Sequence, residues 1–281
     1  MVRAATGCCD LLEWNVPYDR SRVIRAYEQN AGDEDEAEAE QSLRVELPRE
    51  FIKQHLRASD IVLDAGGGTG ANAILMARVC RRVVLLDVTP GILRLAARNI
   101  EASCLSDSIE LVEGDITDLR CFEDAAFSFV VCVGDAISYV LDKRSEALRE
   151  LVRVAKEGSI LILGCDSKLG FVRMKIAQGE LEEAARIYES AETDCGMGPR
   201  THLYTVQEMI TLLEHHGCDV LDIASTPAFG DTFDTSQYAE ESKWERLKAL
   251  EKELCTVPEL LGVGLHLLFV AQKRSVDDDL S

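Results

Sequence analysis

The chain alternates between short apolar runs and longer stretches with helical spacing. Ile61-Val-Leu, Val83-Val-Leu-Leu, Ile109-Glu-Leu-Val, Phe127-Ser-Phe-Val-Val-Cys-Val and Ile160-Leu-Ile-Leu are the central runs, and most break at an acid or a glycine. Runs of this kind, bounded by turn residues, read as strands buried on both faces. The stretches between them carry helix formers, as in Ala71-Asn-Ala-Ile-Leu-Met-Ala. Strict alternation of this kind predicts a doubly wound parallel α/β sheet with helices on both faces. Right-handed crossovers then place the carboxyl ends of the strands on one edge, where Asp64, Asp87, Asp115 and Asp135 should gather.

The flanks follow the same logic. Residues 18–30 and 42–56 have helical patterns and precede the first strand, so residues 1–57 are expected to form a helical cap over the strand tips. Pro48 falls near the start of the second pattern, where proline costs least. The main domain is expected over 58–273. It carries insertions at about 170–200 and 227–261, the first holding one helix over 171–190 and the second a charged helix over 238–254. Between them, Thr205 caps an amphipathic helix, Glu208 follows three residues later and Gly217 stops it. Residues 218–225 and 263–273 read as further strands, and 274–281 as an acidic tail.

The first run ends in an unusual break. Ile61-Val-Leu-Asp-Ala-Gly-Gly-Gly-Thr-Gly70 reads as strand and tight turn, and such glycines let bare backbone approach a ligand. A P-loop is excluded, because Ala71 and Asn72 stand where Lys and Ser or Thr are required. A dinucleotide fingerprint fits on spacing: Gly66, Gly68 and Ala71 match G-x-G-x-x-G/A, with Asp87 about twenty residues on. A glycine turn without a ligand is a third reading.

The next strand tips weigh these readings. Asp87 ends the second strand, where a carboxylate can accept two ribose hydroxyls. Gly114-Asp115-Ile116 ends the third and Gly134-Asp135 the fourth. Leu148-Arg-Glu-Leu-Val-Arg-Val-Ala-Lys-Glu-Gly158 then leads into the fifth. In this order the segments resemble the class I (Rossmann-like) S-adenosylmethionine (SAM)-dependent methyltransferase family. Glu157 and Ser159 depart from the proline and second glycine usual in its last turn. The resemblance implies a seven-stranded, mostly parallel sheet whose last strand inserts antiparallel between the fifth and sixth. It implies SAM as cofactor, cradled by Asp64, Ala65, Gly66, Gly68 and Gly70. Asp87 would take the ribose, with Val88 beside it. Asp115 would accept from the adenine amino group, Ile116 would pack on the ring, and Gly134 would lie where the chain passes the methyl donor. The layout of residues 247–266 resembles a subgroup that pairs the cofactor carboxylate with an arginine before the first strand. Arg44 lies at a matching distance, with an ordinary surface role as the alternative. Tyr27 of the cap would line the donor site or pack beneath the helices.

Composition narrows the partners. The net charge is −20, from 30 basic and 50 acidic residues. That excess argues against nonspecific affinity for nucleic acid, without excluding an RNA held in a local basic cleft. Ten scattered cysteines, several within apolar runs, suit reduced buried thiols and a cytoplasmic setting. No apolar run is long enough to span a membrane, and the first residues lack a secretory pattern. No C-x-x-C or H-x-x-x-H spacing offers a metal motif.

Methyl transfer needs alignment and, for a poor nucleophile, a base near the strand tips. Asp135 is the first candidate, for the acceptor or the donor's amino end. His202 is the second, as a base, against a bland loop or core histidine. His266 sits on an apolar run and reads as structural. The sequence therefore predicts a cytoplasmic SAM-dependent methyltransferase with a small-molecule acceptor and direct in-line transfer. The acceptor atom and the oligomeric state stay open. A tRNA nucleoside methyltransferase is one alternative, favoured by a basic track at Lys243, Arg246, Lys248 and Lys252. A non-catalytic SAM-binding subunit is another, favoured by a plugged acceptor pocket.

Overall fold

Seven strands form one sheet in the order β3-β2-β1-β4-β5-β9-β8. In the computed structural model, which describes residues 17–30, 42–194 and 200–275, these are β1 (Ile61–Ala65), β2 (Arg82–Asp87), β3 (Ile109–Glu113), β4 (Phe127–Cys132), β5 (Ala155–Asp166), β8 (Cys218–Ser225) and β9 (His266–Lys273). Residues 1–16, 31–41 with their acids at 33–40, 195–199 and 276–281 lie outside the described residues. The pairs among β1 to β5 are parallel, and β9 runs antiparallel to both β5 and β8. The inserted antiparallel strand is therefore present as expected, beginning at His266 rather than Val263.

The central strands are apolar on both faces because each face is covered. On one face Leu63, Leu86, Val130 and Leu163 pack with Leu148 and Leu151 of α6 (Arg144–Val154) and Met209 and Leu213 of α9 (Val206–His215). On the other, Val62, Leu85, Val131 and Ile162 pack with Met76 of α3 (Ala71–Ala77), Ala96 and Ile100 of α4 (Pro90–Ala102), and Phe51 and Ile52 of α2 (Leu43–His55). The cap consists of α1 (Arg20–Gln29) and α2. A short helix α5 (Ala136–Tyr139) follows β4.

One expectation changes. The stretch read as a single helix over 171–190 is two, α7 (Lys168–Ala177) and α8 (Leu181–Ser190). Gly179 breaks it at a φ of 81°, a left-handed angle that glycine adopts at no steric cost. A two-stranded hairpin of β6 (Glu192–Asp194) and β7 (Arg200–His202) follows. The charged helix of the second insertion is α10 (Glu241–Leu254). Its Trp244 is buried against Leu43 and Leu47 of α2, so the insertion docks on the cap.

Candidate active site

The loop after β1 is built by its glycines. Gly66 and Gly67 both donate backbone N–H to the Leu86 carbonyl, at 2.7 and 3.1 Å, which ties the turn to β2. Gly66, Gly68 and Gly70 all have left-handed φ, at 71°, 56° and 92°. A Cβ on Gly66 would lie 2.7 Å from the Cβ of Ala136, and one on Gly67 would lie 2.6 Å from Leu85. Gly70 opens α3. Asp64 and Ala65 are buried beneath the turn.

A cavity of about 310 Å³ opens between this loop, the next strand tips and the cap. Gly66, Gly68, Asp87, Val88, Asp115, Ile116 and Gly134 line it from the sheet side, and Tyr18, Tyr27 and Arg44 from the cap. The backbone orients both acids. The Asp87 carboxylate accepts from Gly68 N at 3.2 Å and Thr89 N at 2.8 Å. Asp115 accepts from Thr117 N at 2.9 Å and Thr117 Oγ1 at 2.8 Å on one oxygen, and from the Tyr18 hydroxyl at 2.7 Å on the other. At the end of β4, a Cβ on Gly134 would meet nothing within 4 Å, so open space adjoins that tip.

The cap is fastened across this cleft at several points. Burial, then the bond to Asp115, push the Tyr18 hydroxyl well above the usual phenol range. Glu28 accepts from Gly91 N at 2.7 Å and lies 3.5 Å from Arg94, an anion placed at the positive end of α4. The rings of Tyr27 and Tyr139 meet edge-to-face at 5.9 Å. Tyr18→Phe removes one charge-assisted bond and should cost cap docking about 1–3 kcal/mol. The expected readout is faster amide hydrogen exchange over α1 with α6 unchanged; equal exchange in α1 would show that Glu28 and Tyr27 suffice.

A family model described as "Methyltransferase domain" matches residues 62–158, the span from β1 through the turn within β5. The tRNA 5-carboxymethoxyuridine methyltransferase of Escherichia coli K12 is 23% identical over 219 residues, covering 77% of this chain and 81% of that protein. Residues 62–158 thus match a methyltransferase domain, set in the seven-stranded fold of class I methyltransferases. Two solved structures share its fold: the [4+2]-cyclase SpnF, with TM-score 0.62, 15% identity and coverage of 92% and 99%, and the 1,6-didemethyltoxoflavin-N1-methyltransferase of Burkholderia thailandensis, with TM-score 0.59, 13% identity and coverage of 91% and 88%.

The methyltransferase separates its two sequence-predicted catalytic candidates. His202, on β7, is buried; its Nε2 lies 2.8 Å from Glu208 Oε1, and its ring meets that of Tyr204 edge-to-face. Burial opposes the Glu208 charge, but the bond and charge of His202, with Arg144, hold that carboxyl below its ordinary value. His202 does not line the cavity. Asp135 lies between Gly134 and Ala136, which line the cavity, but is not itself part of the lining; it is in a left-handed conformation with φ 69°. Its Oδ1 is 3.0 Å from Nδ1 of His266 and its Oδ2 is 3.6 Å from Arg44. On sequence alone His266 reads as structural. The β5–β9 register sets it opposite Asp166, and the same Nδ1 lies 3.4 Å from Asp166 Oδ1. No spacing along the chain could reveal a pair made by an inserted antiparallel strand. Asp135, Asp166 and His266 bring ligand-type atoms within 4.8 Å of one another, and the imidazole is already directed at both acids.

Among the described residues no helix is long and apolar enough to cross a membrane. The seven described cysteines are free thiols, four of them buried.

Proposed function

We propose that this methyltransferase binds SAM in the cap-covered cavity and passes its methyl group, by direct in-line displacement, to a small molecule in the cytoplasm. The observation that carries the reading is the convergence of Gly66, Gly68, Asp87, Asp115 and Gly134 on one cavity. The donor brings an already activated methyl group on a sulfonium, so the chain's task is alignment. Gly66 and Gly67 let the turn pack against Ala136 and Leu85 at distances no Cβ would allow, which holds the loop backbone at the cavity wall. The backbone-oriented Asp87 suits a ribose diol, and the remaining lone pair of the Asp115 oxygen bonded to Tyr18 suits an adenine amino group. Open space beside Gly134 favours an acceptor chamber over a plugged, non-catalytic site.

The acceptor class rests on charge. The basic track on α10 is engaged by acids: Lys243 with Glu240 at 3.1 Å, Lys248 with Glu46 at 2.9 Å and Glu245 at 2.7 Å, and Lys252 with Glu50 at 3.1 Å. Lysines so compensated release few counterions on meeting phosphates, which weakens the case for a polynucleotide. The length of the match to the Escherichia coli protein, whose name specifies tRNA, favours a second reading in which the acceptor is a tRNA nucleoside. Transfer of tritiated methyl from SAM, offered in parallel to total tRNA and to a nucleic-acid-free metabolite extract, separates the two. Label is expected in the metabolite fraction; label confined to tRNA would replace the small-molecule reading.

Asp87→Ala should weaken SAM binding by about 1–3 kcal/mol, because a charge-assisted pair of ribose contacts disappears. Calorimetry on both proteins tests this. Unchanged affinity would remove Asp87 from the site, and tight NADH binding without a SAM response would sink the methyltransferase cofactor reading.

A further inference from the structure

A row of alternating charges runs inward from the cavity wall. Arg44 lines the cavity and lies 3.6 Å from Asp135. Asp135 meets His266 at 3.0 Å, and His266 meets Asp166 at 3.4 Å. Asp166 in turn accepts from Thr201 Oγ1 at 2.7 Å. Asp135 and Asp166 are buried, and the His266 side chain is only 13% exposed. Charges placed out of water persist only when partnered, so each member depends on the next. The row reaches the cavity at Arg44, with Asp135 directly behind it between the lining residues Gly134 and Ala136, one charge of each sign. That pair matches the amino acid end of a donor such as SAM, which carries an ammonium and a carboxylate.

We propose that His266 is a positioning residue for the donor's amino acid end, acting through Asp135 and Arg44. This rests on the SAM reading of the cavity. His266 holds Asp135 in two ways. It compensates the buried carboxylate, so that Arg44 does not have to do so alone. It also anchors a residue in a left-handed conformation, directly after Gly134 at φ 80°, where an L side chain is strained unless its surroundings fix it. Without the imidazolium, Asp135 would draw Arg44 toward itself or take up a proton. Either change alters the charge pattern offered to the donor and leaves the adenosine contacts at Asp87 and Asp115 untouched.

The groups facing His266 are Asp135 after β4, Asp166 at the end of β5, Arg44 on α2, and Asp231 of the second insertion. Asp231 accepts from Leu265 N at 2.6 Å and pairs with Arg173 of α7 at 2.9 Å. Burial alone would lower the basicity of the imidazole. The charge of Asp135 and the bonds to Asp135 and Asp166 outweigh it and raise His266 to about 9. Burial likewise opposes the Asp135 charge, but His266 and Arg44 hold that carboxyl far below its ordinary range. Burial and the neighbouring Asp135 push Asp166 upward. The contribution of His266 is thus present at neutral pH and is lost as pH rises through about 9.

The test uses two ligands that share an adenosine. S-Adenosylhomocysteine carries the amino acid end and 5′-methylthioadenosine lacks it. Calorimetry on the full chain compares wild type with His266→Leu and His266→Asn, the latter keeping a neutral donor near the Nδ1 position. Both variants are expected to bind methylthioadenosine within about twofold of wild type and S-adenosylhomocysteine about tenfold more weakly, the equivalent of one pKa unit. Asn should fall between Leu and wild type. The wild-type advantage for S-adenosylhomocysteine should fade between pH 8 and 10; the ligand's own amino group titrates there too, so the wild type-to-variant ratio is the readout. Equal effects on both ligands, or none on either, would overturn the proposal. So would loss of wild-type S-adenosylhomocysteine affinity after EDTA treatment, which would assign the cluster to a cation. If wild type binds neither ligand, it is the SAM reading itself that fails. Should both variants fail to fold, the wild-type pH series, corrected for the ligand's own ionisation, still decides between the outcomes.

Discussion

Gly66→Val is expected to abolish SAM binding while the domain stays folded. Two costs add at this position. The backbone is left-handed at φ 71°, which costs an L residue roughly 1–2 kcal/mol and a β-branched one more. The first side-chain carbon would also sit 2.7 Å from the Ala136 Cβ, so either α5 or the loop must move. Overpacking of that kind adds about 1–3 kcal/mol. The loop is the softer partner, and it lines the cavity. Its displacement would break the two bonds to the Leu86 carbonyl and push side-chain bulk into the donor space. An affinity loss of at least about a hundredfold, read by calorimetry, corresponds to roughly 2.7 kcal/mol. A Gly66→Val protein with wild-type affinity would place the donor somewhere other than this loop.

Gly264→Ala should act on stability instead. At this point three backbones cross without side chains between them. A Cβ on Gly264 would overlap the Pro227 carbonyl, and one on Gly170 of α7 would overlap the Gly264 carbonyl. Neither obstacle is a flexible side-chain end, so the strain cannot be relieved locally. A cost of about 3 kcal/mol or more is expected, which for a chain of this size lowers Tm by roughly 6–12 °C. Thermal unfolding by circular dichroism measures it. Because Gly264 lies two residues before His266, the folded fraction should also lose its preference for S-adenosylhomocysteine over methylthioadenosine. A Tm within about 2 °C of wild type, less than 1 kcal/mol on this scale, would show that the crossing relaxes.

The parts of this protein that were legible in its sequence are those specified by contiguous residues. β1, β2 and β4 announce themselves as apolar runs because both of their faces are buried. The acids at their tips lie together because parallel strands end on one edge, so Asp87 and Asp115 could be placed before any coordinates. The Thr205 cap of α9, accepting from Glu208 N at 3.1 Å, is equally local. What escaped depends on partners far along the chain. His266 looks like a core residue until β9 is set against β5, and only then does it face Asp135 across 131 positions. His202 reads on sequence as a base or as a bland loop or core histidine, and its contact with Glu208 is made only when β7 packs beside α9. The lysines of α10 read as a basic track, and their neutralisation by Glu46 and Glu50 follows from the docking of α10 on α2, about two hundred residues away in sequence. The break at Gly179 has a local signal, a glycine after a helical run, which the helical periodicity on both sides of it masks.

The placement of β9 has a consequence for how the chain comes together. It is the last strand among the described residues, yet it fills the slot between β5 and β8. During synthesis, β1 to β5 can pair as they emerge, because each lies beside a strand already made. β8 cannot: its neighbour in the sheet is β9, which is translated after it. Until residues 266–273 leave the ribosome, β5 presents an open apolar edge and β8 has nothing to pair with, the kind of unpaired edge that invites aggregation. The same late strand carries His266. Completion of the sheet and assembly of the charge row behind the cavity are therefore one event, and a nascent chain arrested before it would hold its glycine loop without the groups that stand behind Arg44.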